Sequence, residues 1–173
     1  MRSAISFAAV VLLPLTVCSC LSSCVHSRVS RFHSLPAKGV GQTFTMYPAK
    51  GLPKLEFQTY AVEVAKHLVD YGWLPVRVGQ ESDYKVGLHF WMGGSRENVS
   101  GSFSSGTGYV GSSTEHDRFL VMVILDKNNN TVFEGRVRSA GSRSDIAAVM
   151  PQMIDSLFAS FPGKSGKSTR MIR

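Results

Sequence analysis

Tyr84-Lys85-Val86-Gly87-Leu88-His89-Phe90-Trp91-Met92 is the stretch that decides the fold class of this chain. Side chains on a strand point alternately to its two faces. Tyr84, Val86, Leu88, Phe90 and Met92 therefore share one side, and Lys85, Gly87, His89 and Trp91 the other. The first side is apolar throughout and belongs against a core. The second carries a histidine and a tryptophan, which a helix or a ligand could cover. A strand with one apolar face needs a second layer, and the sequence on either side supplies it.

Upstream, Leu55 to Tyr71 has the helical period. Phe57, Ala61, Val64, Ala65 and Leu68 recur at intervals of three and four, giving one apolar face, and Gly72 stands where a left-handed C-cap residue belongs. Glu63 and His67 are one turn apart and read as an ordinary surface pair. Trp73 to Val78 reads as a strand, with a turn over 79–82. Before the helix, Arg31-Phe32-His33-Ser34-Leu35 and Thr43 to Tyr47 read as two short strands, and residues 24–30 as a polar tether.

Downstream, residues 93–114 turn to glycine and serine and read as a long loop, functional or disordered. Phe119 to Leu125 and Thr131 to Arg138 flank the polar turn Asp126 to Asn130 and predict a hairpin. Ser144-Asp145 offers an N-cap for a last helix through Phe161, although Pro151 lets the regular helix begin near Val149 instead. Pro162-Gly163 stops it, and residues 164–173 read as a basic flexible tail. The class this predicts is α+β: a two-layer sandwich with two helices on one face of an antiparallel or mixed sheet of about six strands. One domain fills residues 31–163.

The N-terminus is a separate matter. Arg2 and the apolar run Ala4 to Thr16 make a charged start and a short hydrophobic core. That run is shorter than the roughly 20 residues a membrane-spanning helix needs, and suits a secretory leader over residues 1–23. Leu21-Ser22-Ser23-Cys24 resembles the bacterial lipoprotein cleavage signal, which implies lipid on Cys24, with Cys20 as the alternative. All three cysteines lie in this stretch, so a chain processed before Cys24 has no thiol left for a disulfide, a nucleophile or a metal. Val25 after the cysteine, by the sorting pattern of such lipoproteins, implies the periplasmic face of the outer membrane. The chain carries 19 basic and 12 acidic residues; the leader holds one basic residue and no acidic one, which leaves +6 beyond it. A basic balance suits phosphate-rich headgroups or acidic envelope polymers. Nucleic acid is not expected, because the cations are scattered rather than striped.

Several motifs fail on context. Gly106-Thr107-Gly108-Tyr109-Val110-Gly111 has the letters of a dinucleotide fingerprint but no preceding strand signal and no following helix. Gly163 to Ser168 lacks the spacing of a phosphate loop. Glu115-His116-Asp117 gathers three ionisable groups that an extended chain would point in alternate directions, and His89 could meet them only across a long hairpin. Catalytic residues, cofactors and metals are therefore not expected.

Val29-Ser30-Arg31-Phe32-His33, Leu55-Glu56-Phe57, Tyr60-Ala61, Gly72-Trp73 and Ser82-Asp83-Tyr84-Lys85-Val86 together resemble the DUF4136 family of bacterial lipoproteins. So do Phe119 to Asp126, Phe133-Glu134-Gly135 and Leu157 to Gly163. The resemblance implies no activity and no catalytic residues. The expected function is a non-enzymatic, lipid-anchored envelope protein binding an unknown protein, lipid or glycan. Its expected contacts are Arg96, Phe103 and Tyr109 of the glycine-serine segment and His89 and Trp91 of the second sheet face. The alternatives are a lipid or lipopolysaccharide assembly factor and, behind it, an envelope hydrolase using His89, His116 and Asp117.

Overall fold

The computed structural model describes residues 25–48, 54–104 and 107–172, with the backbone alone described at 25–26, 100–104, 107–110 and 167–172. The leader, Cys20 and Cys24 lie outside the described residues. The order is β1 (Val25–His33), β2 (Thr43–Pro48), α1 (Lys54–Tyr71), β3 (Leu74–Pro75), β4 (Tyr84–Ser104), β5 (Thr107–Asp126), β6 (Thr131–Gly141), α2 (Met150–Phe158) and β7 (Gly166–Ile172). The strands form one seven-stranded sheet, ordered β3-β2-β4-β5-β6-β1-β7. It is mixed, because β2 runs parallel to both β3 and β4 while the other pairs are antiparallel. The α+β expectation holds, with one strand more than six.

Alternation sorts the sheet into two faces. Val86, Leu88 and Phe90 of β4, Leu120, Met122 and Ile124 of β5, and Phe133 and Val137 of β6 are buried on one side. Against them α1 lays Phe57, Tyr60, Ala61, Val64 and Leu68, and α2 lays Met150, Met153, Ile154, Leu157 and Phe158. Each such side chain removed from water stabilises the fold by about 1.5–3 kcal/mol. The helix packs closely because Gly135 has no side chain: a Cβ there would stand 2.6 Å from Leu157 Cδ1.

The helices end as their sequences dictate, and in one case by a device no local pattern reveals. Helix α1 stops at Tyr71, and Gly72 follows at φ 111°. In α2, Pro151 occupies the first turn, where its missing N–H costs nothing; Asp145 instead accepts the amide of Ala147 in the preceding turn. At the other end of α2 the buried Arg31 of β1 donates to the carbonyl oxygens of Ser156, Leu157 and Ala159 at 2.8–3.2 Å. A cation set on a helix C-terminus satisfies orphan carbonyls and complements the helix dipole. His67 does not pair with Glu63. It reaches Asp155 of α2 at 3.2 Å and stacks on Phe158 at 4.6 Å, locking the two helices together.

Four segments depart from the sequence reading. The stretch 93–114 is not a loop: β4 and β5 run on as a ribbon, in register from Ser95↔His116 to Ser104↔Thr107. Residues 25–30 are no tether and 166–172 no loose tail; they pair with each other, so that β7 covers the flank of β1. Both are short of apolar residues, and each supplies the hydrogen-bonding edge the other lacks. The strand expected over Trp73 to Val78 shrinks to Leu74–Pro75, since Pro75 cannot continue a ladder and Trp73 is buried in the core instead.

Candidate functional site

The helices leave the opposite face of the sheet uncovered. Trp91 of β4 and Phe119 of β5 face each other across the ladder. Their rings stack 5.0 Å apart at 13°, and Trp91 keeps 40% of its surface in solvent. His89 lies beside Trp91, centroids 5.0 Å apart. Gly93 makes room for this pair. It sits in the bulge between Met92 and Ser95, and a Cβ on it would stand 2.6 Å from the Phe119 ring.

Arginines line the other half of the face. Register places Phe119, Arg138 and Arg28 in one row across β5, β6 and β1, and Val121, Arg136 and Ser30 in the next. Together with Trp91 these side chains border an open depression of about 530 Å³. The Arg138 guanidinium stands 6.0 Å from the centre of the Phe119 ring and bonds Asp117 with both nitrogens of its fork, at 2.8–3.2 Å. Arg136 bonds Glu134 at 2.6 Å. Arg28 is exposed and, among the described residues, faces no carboxylate.

Asp117 is the joint between this face and the ribbon beyond it. Arg138 on one side and Arg96 on the other, the latter at 3.2 Å, hold its carboxyl below the usual carboxylate range. One turn of ladder further out, Asn98 donates to Glu115 at 3.2 Å. Past these contacts the two strands run alone among the described residues: β6 accompanies β5 only as far as His116, and β2 accompanies β4 only as far as Leu88. Ten residues of β4 from Ser95 reach about 30 Å at the usual strand rise. Phe103 pairs with Gly108 and Ser102 with Tyr109 near the end of this arm.

The expected contact residues thus fall in three places. His89 and Trp91 lie on the open face, Arg96 at the arm's base, and Phe103 and Tyr109 on its outer part. His89, His116 and Asp117 are not brought together. His116 and Asp117 point to opposite sides of β5, and the Trp91–Phe119 row lies between His89 and Asp117. Arg28, Phe119 and Arg138 were not singled out by the sequence reading. The parity of the hairpin Phe119 to Arg138 carries that signal for two of them, once its turn fixes the register.

The covered face holds one irregularity. Arg118, fully buried, donates through Nη1 to the Arg143 carbonyl at 2.8 Å. Its Nε and Nη2, and the hydroxyls of Ser139 and Ser27 in the same row, meet no hydrogen-bond partner among the described residues. Burial pushes its guanidinium below the usual range.

What the fold and this face define is a two-layer α+β domain with an open-faced mixed sheet and a projecting β-ribbon. Residues 30–163 match the family described as Domain of unknown function (DUF4136), and the chain belongs to that family. No curated protein matches it. Among solved structures it is similar to a PelC dodecamer from Paraburkholderia phytofirmans, with 14% identity over 80% of this chain and 99% of that one, TM-score 0.48. It is also similar to a PDZ domain protein from Parabacteroides distasonis, with 8% identity over 84% of this chain and 39% of that one, TM-score 0.45. Likenesses this remote carry no function across.

Proposed function

We propose that the protein is a lipid-anchored, non-enzymatic binding module of the cell envelope, held through Cys24 (or Cys20) at the periplasmic face of the outer membrane. The observation that carries this reading is the uncovered sheet face with its half-exposed Trp91–Phe119 stack, continuous with a ribbon whose outer edges are unpaired among the described residues. Exposed aromatics beside arginines are the side chains that dominate binding energy at interfaces. A free two-stranded ribbon is marginal in water until something pairs with it. Among the described residues no helix is long and apolar enough to cross a membrane, so the leader and its cysteine are what this reading uses for attachment.

In-cell crosslinking of the lipidated protein, beside a version lacking residues 95–113, tests it. A specific partner lost with the ribbon supports the binding module. Enrichment of nothing in either version removes the ribbon as a protein contact. A second reading, lipid or lipopolysaccharide handling, is favoured by one geometric fact. β1 begins in the row of Gly141, beside His116 at the ribbon's base, so the first described residue, Val25, stands at the end of the sheet from which the ribbon leaves. Liposome binding that falls with salt and needs the ribbon would support it.

A further inference from the structure

The open face has a chemistry more specific than "partner". It joins a flat aromatic surface to cations in fixed positions, and the depression they border is open rather than enclosed. Across four strands the row runs Trp91, Phe119, Arg138, Arg28. Strand spacing makes that row about 15 Å long. The Trp91 and Phe119 rings stack face to face and the Arg138 guanidinium lies over Phe119, so the aromatic surface left to solvent is that of Trp91, 40% exposed. The negative face of an aromatic ring attracts the polarised C–H bonds of a ring laid flat on it. The arginine half presents planar forks, which match carboxylates in two-point contact. Arg138 is held in place by Asp117, and Arg136 by Glu134. Arg28 has no such neighbour among the described residues and is the free cation of the set.

Charge decides the sign of the ligand. On this face the five cations Lys85, Arg96, Arg136, Arg138 and Arg28 outnumber the three carboxylates Glu115, Asp117 and Glu134. Shape decides its form: a shallow, open-ended depression fits a chain passing over it better than a small molecule needing enclosure. We propose that this face binds an acidic polysaccharide, with a sugar ring on Trp91, which Phe119 braces from behind, and a carboxylate further along the chain on Arg28. A bilayer is the poorer occupant. β1 starts at an end of the sheet, so an attachment made ahead of its first residue lies at strand ends rather than on this face.

This inference rests on the binding-module reading and sharpens it. The test uses the full chain in detergent, with polygalacturonate as probe, its methyl ester as the uncharged counterpart, and phosphatidylglycerol vesicles. Polygalacturonate should bind, and Trp91→Ala and Arg28→Gln should each weaken it about tenfold, as should esterification. Thermal unfolding of both variants should match the parent, since neither residue belongs to the core. Absence of polygalacturonate binding overturns the proposal. Binding undiminished in Trp91→Ala overturns it too, as mere adhesion to a basic chain. Vesicle binding that depends on Trp91, without glycan binding, reassigns the face to lipid. If the glycan fails while crosslinking still captures a ribbon-dependent partner, the binding module stands and only its ligand class falls.

Discussion

Leu88 and His89 are neighbours in one strand and live in different solvents. Leu88 is buried under the helices, whereas His89 stands on the open face beside Trp91. The same contrast repeats along β5 and β6: Leu120 against Val121, Val137 against Arg138. One strand therefore serves two purposes by parity alone. The covered face holds the domain together by burial, and the open face is free to vary in chemistry because little of the stability depends on it. Orphan polar groups are the exception on the first side, and stacked aromatics the exception on the second.

The largest test of that division compares the two neighbours. Leu88→Ala should cost about 3 kcal/mol by leaving a cavity among close-packed side chains. His89→Ala should stay within about 0.5 kcal/mol, as surface changes do. Urea unfolding of both reads the difference, and equal costs would break the comparison. Next comes Arg31, the covered face's one well-satisfied cation. Arg31→Met should cost about 2 kcal/mol by orphaning helix carbonyls, and amide exchange should quicken first in the last turn of α2.

Arg118 sharpens the same comparison from the opposite direction. A buried guanidinium with one carbonyl partner and two unsatisfied nitrogens costs more than an apolar side chain in its place, so Arg118→Met should raise stability by about 1 kcal/mol. A fall instead would show that the guanidinium holds something in the folded protein. The smallest effect belongs to Asp117 on the open face. Its folded pKa lies below the ordinary carboxylate value, so its contribution is present above about pH 4 and is lost as pH falls through the lowered folded value. Asp117→Asn should flatten the acid limb of the stability profile below about pH 4, through a small loss of stability at neutral pH and little change in strong acid. An unaltered acid limb would remove the Arg138–Asp117–Arg96 cluster from the account.

How much of this was legible depends on where each signal resides. The two faces of β4, both helices and the β5–β6 hairpin follow from periodicity and turn residues, which are local. The ribbon was not legible because Ser-Gly sequence has low strand propensity. Its order comes from cross-strand pairing rather than from its own side chains. Segments 25–30 and 166–172 escaped for the same reason, each being half of a pair separated by the whole domain. Arg31 reaches carbonyls 125 to 128 residues away, and no spacing rule spans that distance. At the open face, His89 and Trp91 were legible from parity, while Arg28 needed the register of β1 against β6. The neighbours of a sheet position lie in other strands, so they remain hidden until topology is known.

The position of β1 has a mechanical consequence. The strand lies between β6 and β7, and the described chain begins at its very end. A load applied to the chain ahead of Val25 therefore pulls along the strand axis, across hydrogen bonds that lie perpendicular to it on both flanks. Those bonds share the load in shear instead of opening one after another. A domain hung from that point would resist extraction with two ladders at once.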